Sequence, residues 1–162
     1  MAIPLLDATR ENHALEHATI TILLGRMARP ARMLGRSTPG GFFLHGNVPT
    51  EELTSAVHEA LGRLQGGEAR LAVSPLCGTN LAVAGVLAGL SSVLAFGGAT
   101  RPDRWTRAIL AATVAVLFAR PLGHLVQRHV TTSPRLGGLK IRRILRTGRG
   151  PWTVHRVEIG RT

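Results

Sequence analysis

The chain has 162 residues, enough for one compact domain or a small domain with a membrane anchor, and its 20 Lys and Arg against nine Asp and Glu give a formal charge of +11. That balance points to a polyanionic partner, either nucleic acid or the anionic face of a bilayer. The absence of Tyr and an aromatic share of 4% leave no base-stacking platform and argue against nucleic acid, while a single cysteine, Cys77, excludes an internal disulfide.

The first six residues lack a basic start and run into Asp7, so they do not read as a signal peptide. Asp7 or Thr9 is expected to cap a first helix that Pro30 ends near Arg29. In that helix His13, His17, Ile20, Leu24 and Met27 share one face, and Leu15, Ala18 and Ile22 line the opposite one. Its second half is thus apolar nearly all round and should be buried. Gly25 costs the helix about 1 kcal/mol relative to Ala, which predicts a close packing contact there.

A basic run of Arg26, Arg29, Arg32 and Arg36 leads to a turn at Pro39, Gly40 and Gly41, and residues 41–45 read as a short strand. Thr50 is expected to cap a second helix, with Glu51 and Glu52 at its positive end. Leu53, Val57, Ala60 and Leu64 form its buried stripe, and Gly66 and Gly67 stop it. Residues 69–74 alternate in part and predict a second strand, ended by Pro75.

Residues 77–99 carry no charge, and at about 1.5 Å per residue they cross a hydrocarbon core of about 30 Å. Gly85 and Gly89 have the spacing that permits close helix contact in lipid, with the second span or a partner helix. A second span is predicted over 105–127, with Trp105 at an interface and an interruption at Arg120 and Pro121, where Arg120 snorkels. Residues 131–134 form a linker, and residues 139–146 and 152–159 predict two strands around Gly148, Arg149 and Gly150. Seven Arg precede the first span, nine Lys or Arg follow the second, and the connection between them, with the first turn of the second span, holds three Arg and one Asp. The positive-inside rule then places both termini in the cytoplasm, in a multi-pass protein of the inner membrane. The basic tail, 135–149, predicts contact with anionic lipid.

The sharpest chemical signal is His-x-x-Glu-His at 13–17. On a helix His13 and His17 lie one turn apart on one face, about 40° apart around the axis, with Glu16 on the flank. Two imidazoles at that spacing are a zinc-ligand pair, and Glu16 is placed to act as general base. The third ligand is expected from Cys77, whose thiolate suits zinc, or from His45. In the segment 77–80, Gly78 can also simply start a helix that Thr79 or Asn80 caps, with Asn80 satisfying backbone donors at the membrane surface. His58 and Glu59 lie off the buried stripe and read as solvated surface.

The five residues 13–17 resemble the motif of the inverzincin metallopeptidases. That family takes a further Glu ligand downstream, whereas the corresponding stretch here, 89–94, has no acid. On a larger scale, Asn-His-Ala-Leu-Glu-His-Ala-Thr at 12–19, Cys-Gly-Thr-Asn at 77–80 and Gly-His-Leu-Val-Gln-Arg-His-Val-Thr-Thr at 123–132 resemble an uncharacterised family of bacterial membrane proteins, a domain of unknown function. The likeness covers most of the chain, implies two membrane spans and supplies no activity.

The sequence therefore predicts an α+β protein. A small cytoplasmic domain of two helices and three to four short strands is formed by 1–76 and 129–162, and residues 77–128 form a transmembrane helical hairpin. The expected function is that of a small integral membrane protein with a zinc site on its first helix, held by His13, His17 and Cys77, extending to hydrolase or peptidase chemistry with Glu16. The competing expectation is a non-enzymatic membrane subunit or assembly factor with structural histidines, docked through Gly85 and Gly89.

Overall fold

A computed structural model describes residues 4–27, 32–97 and 103–161. The chain divides into two compact units, Met1–Ser74 with Arg128–Thr162, and Pro75–Gln127.

In the first unit, helices α1 (Pro4–Arg26) and α2 (Thr50–Gln65) accompany strands β1 (Leu34–Thr38), β2 (Gly41–His45), β3 (Leu139–Thr147) and β4 (Val154–Arg161). The strands form one antiparallel sheet in the order β1-β2-β4-β3. Period-two alternation sends Phe42, Leu44, Val157 and Ile159 to one face, where they meet Leu15 and Leu23 of α1 and Leu53 and Val57 of α2. Each such burial contributes about 1.5–3 kcal/mol before the entropy of ordering is subtracted. The second-helix stripe is buried as its spacing predicts. Arg161, at the end of β4, fastens α1 to the sheet by donating to Ala8 O, Asn12 Oδ1 and Pro39 O at 3.0–3.1 Å.

Strand β3 contains a bulge. Ile141 pairs with Ile159, but the next pair is Arg143 with Glu158, leaving Arg142 as the extra residue. The bulge resets the parity, so Ile141 and Ile144 both pack toward the core despite their spacing of three.

Several local expectations give way. Residues 69–74 are not a strand: Ala69–Ala72 is a 3-10 turn, with Leu71 and Ala72 tucked into the core. The strand count of four is completed by β1, inside the basic run, where Leu-Gly-Arg-Ser-Thr carries no apolar alternation. Asp7 and Thr9 lie within α1, and the Thr9 hydroxyl donates to Leu5 O. Pro49, not Thr50, holds the N-cap position of α2, and the Thr50 hydroxyl meets His155 Nε2 at 3.1 Å. Gly25 is exposed with no neighbour within 4 Å of a built Cβ, so no close contact explains it. The predicted stop at Arg29 and Pro30 falls outside the described residues.

The second unit is an antiparallel pair, α3 (Gly78–Gly97) and α4 (Arg104–Val126), the latter continued by a π-helical turn over Gln127–Thr131. Both helices are long and apolar enough to cross a membrane. No residue of α3 is buried, and Leu81, Leu94 and Leu117 are more than 70% exposed, as lipid-facing side chains would be. Polar contacts fix the pairing: Gln127 Nε2 donates to Asn80 Oδ1 at 2.8 Å, and Ser92 Oγ to Ala108 O at 3.3 Å. Asn80 is thus an interhelical clamp, not a helix cap. Its amide nitrogen donates to Pro75 O at 3.0 Å, and a Cβ on Gly123 would lie 2.2 Å from its Oδ1. Pro121 does not interrupt α4, which passes through it. A Cβ on Gly85 or Gly89 would meet nothing within 4 Å, so they do not form the contact with the second span that their spacing allows.

Candidate metal centre

Residues 14–19 in the middle of α1 are all buried, and its polar side chains are held by hydrogen bonds. Asn12, fully buried, donates to Thr38 O at 2.7 Å and Pro39 O at 3.1 Å. Glu16 is 5% exposed and accepts a hydrogen bond from the Ser37 hydroxyl. A Cβ on Gly35 would lie 2.0 Å from Glu16 Oε1, so glycine is what lets β1 close over the carboxylate. Asn12 and Glu16 therefore anchor α1 to the β1–β2 hairpin.

His13 and His17 are held differently. His13 Nδ1 lies 2.9 Å from Thr131 O, and His17 Nδ1 lies 2.8 Å from Ala72 O. A carbonyl oxygen only accepts, so each Nδ1 carries a hydrogen. In the neutral imidazole, Nε2 of each ring then presents a lone pair. The rings sit with centroids 4.3 Å apart and planes tilted by 59°. Their ligand nitrogens are within 4.8 Å of each other, against about 3.3 Å for two nitrogens bound to one tetrahedral zinc at 2.0–2.1 Å. His17 is 3% exposed, and its Nε2 is a buried atom without a hydrogen-bond partner.

That combination has a specific chemical meaning. A buried polar atom left unpaired costs about 1–3 kcal/mol. Metal-ligating histidines characteristically donate the other ring N–H to a carbonyl or carboxylate, which fixes tautomer and orientation. The donor set, two neutral imidazoles, fits a borderline ion such as zinc. The two carbonyls that set the tautomers, at Ala72 and Thr131, are the functional groups that sequence reading missed. Backbone acceptors have no residue signature.

Cys77 immediately precedes α3. Its Sγ accepts the Thr79 N–H at 3.4 Å and lies 3.3 Å from the Thr79 hydroxyl, while its carbonyl accepts the Asn80 N–H. The start of α3 is thus capped by Cys77, where Thr79 or Asn80 was expected. His45 is exposed at the end of β2 opposite Val154 and does not join the histidine pair in any group of ligand atoms among the described residues. His58 is exposed with Nδ1 2.9 Å from Thr54 O, and Glu59 pairs with Arg26 and Arg63.

Residues 8–144 match the family described as Domain of unknown function (DUF6391). An uncharacterized protein of Picosynechococcus sp. is 38% identical over 139 residues, covering 76% of this chain and 65% of that relative. The chain thus spans slightly less than two-thirds of the curated relative it matches. No solved structure matches the chain.

Proposed function

The chain belongs to this uncharacterised family, and from that premise we propose a metal-binding membrane protein in which His13 and His17 ligate zinc through Nε2. The observation that carries this reading is the buried, unpartnered Nε2 of His17 behind an Nδ1–H pinned to Ala72. Cys77 is the proposed third ligand. It follows Ala72 by five residues, a tether of at most about 17 Å from the carbonyl that already touches His17, and its thiolate is a preferred zinc donor. The two apolar helices lie across the inner membrane with both chain ends on the cytoplasmic side, on the strength of the arginine bias.

Zinc held there supplies Lewis acidity. In the hydrolase form of the proposal Glu16 is the proton acceptor, and it must then exchange Ser37 for the reacting group. The alternative, a non-enzymatic membrane subunit, draws on Gly85 and Gly89, whose open surroundings on α3 leave room for a partner helix.

Metal analysis of the full chain purified in detergent tests the proposal. One equivalent of zinc is expected, lost in His13→Ala and His17→Ala, weakened in Cys77→Ser and retained in His45→Ala. Cobalt substitution should add a thiolate charge-transfer band that Cys77→Ser removes. A protein that takes up no zinc when supplied with it, or whose zinc survives His17→Ala, overturns the reading. Co-purification of an intact metal-free chain with a larger membrane complex would establish the alternative.

A further inference from the structure

The sheet has a second face that the core does not use. The register places Arg36, Phe43, Arg156 and Leu145 in one cross-strand row. Leu34, His45, Val154 and Thr147 form the row on one side, and Thr38, Gly41, Glu158 and Arg143 the row on the other. This face is opposite in parity to Phe42, Leu44 and Val157, and it is open: Leu34 is 68% exposed, Leu145 37%, and Arg36, Arg143 and Arg156 are all exposed. Arg156 stacks over the Phe43 ring at 5.7 Å, and Arg143 and Arg156 share the carboxylate of Glu158 at 3.0 and 3.3 Å. Three arginines against one acid leave the face cationic, with apolar side chains between the charges.

The loop joining β3 and β4 extends the pattern. Gly148 turns the chain at φ +80°, where a Cβ would meet Trp152 O at 2.2 Å. Arg149 is exposed, and Trp152, at the end of a 3-10 turn, is 84% exposed. A large ring left in water, next to arginines, is the arrangement that interfacial proteins use to seat in headgroups.

We propose that the outer sheet face and the Trp152 loop form a docking surface for an anionic lipid bilayer. Charge complementarity selects the occupant: arginines interleaved with Leu34, Phe43, Leu145 and Trp152 match a surface that is anionic outside and apolar beneath. The surface rests on the membrane reading only for its location. This unit joins the apolar helices directly at Ser74–Pro75 and Gln127–Arg128, so no long linker separates it from a bilayer those helices cross. Nucleic acid, the other polyanion, finds Phe43, Trp152 and the smaller His45 ring here, with no Tyr, which is a thin stacking platform.

The two tryptophans, Trp105 in α4 and Trp152 in the loop, allow a direct test in the full chain reconstituted in nanodiscs. The discs contain phosphatidylcholine alone or phosphatidylcholine mixed with phosphatidylglycerol, with acyl chains brominated near the headgroup. In Trp152→Phe, Trp105 reports on the apolar helices, and its quenching in both discs tests the membrane reading by itself. In Trp105→Phe, Trp152 should be quenched in the anionic discs and much less in the neutral ones. Replacing Arg36, Arg143 and Arg156 with Gln should weaken Trp152 docking by about fivefold per arginine while Trp105 stays quenched. Should that triple variant fail to fold, rising salt serves instead, releasing Trp152 in the Trp105→Phe protein while Trp105 stays quenched in the Trp152→Phe protein. Quenching of Trp152 that is absent in anionic discs, equal in neutral ones, or indifferent to both arginine removal and salt overturns the proposal. So does a Trp152 response to a DNA duplex with none to phosphatidylglycerol.

Discussion

Gly25 and Gly35 look alike in the sequence and differ by a carboxylate in the structure. A Cβ at Gly35 would strike Glu16 Oε1 at 2.0 Å and Cδ at 2.3 Å, whereas one at Gly25 meets nothing within 4 Å. Gly35→Ala should therefore cost about 1–3 kcal/mol, since Glu16 must leave its pocket and its bond to Ser37. Gly25→Ala should be neutral or gain up to about 1 kcal/mol of helix propensity. Thermal unfolding of the two variants checks the pair, and equal effects would contradict the packing of Glu16. The same limit governs the histidines: their spacing was legible, but the carbonyls of Ala72 and Thr131 that orient them were not. His155 shares the parity of Val157 and Ile159 in the predicted strand, so alternation points it at the core, and its polar ring is what disguises the position. It is fully buried, its Nδ1 has no partner, and burial first, then the charge of its cross-strand neighbour Arg146, holds its pKa below the usual imidazole value. An imidazole with a lowered folded pKa takes up its proton more readily when unfolded. Its contribution to stability is therefore whole above the unfolded pKa of about 6.5 and is lost as pH falls from there through the folded value. His155→Gln should flatten that part of the stability–pH curve, measured by thermal unfolding between pH 5 and 7. An unchanged slope would mean that other groups carry it.

At the scale of elements, long apolar runs and stripes were readable because they repeat, and single-residue devices were not. The stripe of α2, the β3–β4 hairpin and both apolar helices follow from periodicity and charge. Strand β1 does not, because its ladder with β2 is set by the turn at Pro39–Gly40 and its Gly35 serves Glu16. The bulge at Arg142 hides in the spacing of Ile141 and Ile144, which fits neither a plain strand nor a helix. In the α3–α4 pair, the glycine that matters is Gly123, where a Cβ would lie 2.2 Å from Asn80 Oδ1 and 3.1 Å from its Cα. Gly123→Ala should force the helices apart there and break the Gln127–Asn80 bond, lowering thermal stability by about 1–3 kcal/mol. Gly85→Leu and Gly89→Leu should leave the pair intact, since their surroundings are open. A loss of stability in the isolated monomeric chain on Gly85→Leu, matching that of Gly123→Ala, would refute this assignment of the interface.

At the scale of the whole chain, α1 gathers segments that are remote in sequence. His17 reaches Ala72 across 55 residues, His13 reaches Thr131 across 118, and Arg161 reaches Asn12 across 149. The segments flanking the apolar pair are thus both fastened to one helix, and two of those fastenings are the proposed metal ligands. A ligand that binds only the folded state adds stability of RT ln(1 + [L]/Kd), about 2.7 kcal/mol when the ion is at a hundred times its Kd. For a chain of this length each kcal/mol moves Tm by about 2–4 °C. Zinc-loaded protein in detergent should therefore lose on the order of 5–10 °C on chelation and regain it when zinc is restored. His17→Ala should start low and ignore the chelator, because it has lost Nε2 and the Nδ1–H bond to Ala72 together. His17→Gln separates the two: a side-chain amide can still donate to a carbonyl but offers zinc no imidazole. If His17→Gln keeps the full response to chelator, zinc stabilises the protein elsewhere and the α1 histidines serve packing alone. If wild type and His17→Gln unfold at one temperature with and without chelator, the carbonyl bonds, not an ion, are what fasten α1 to both ends of the chain.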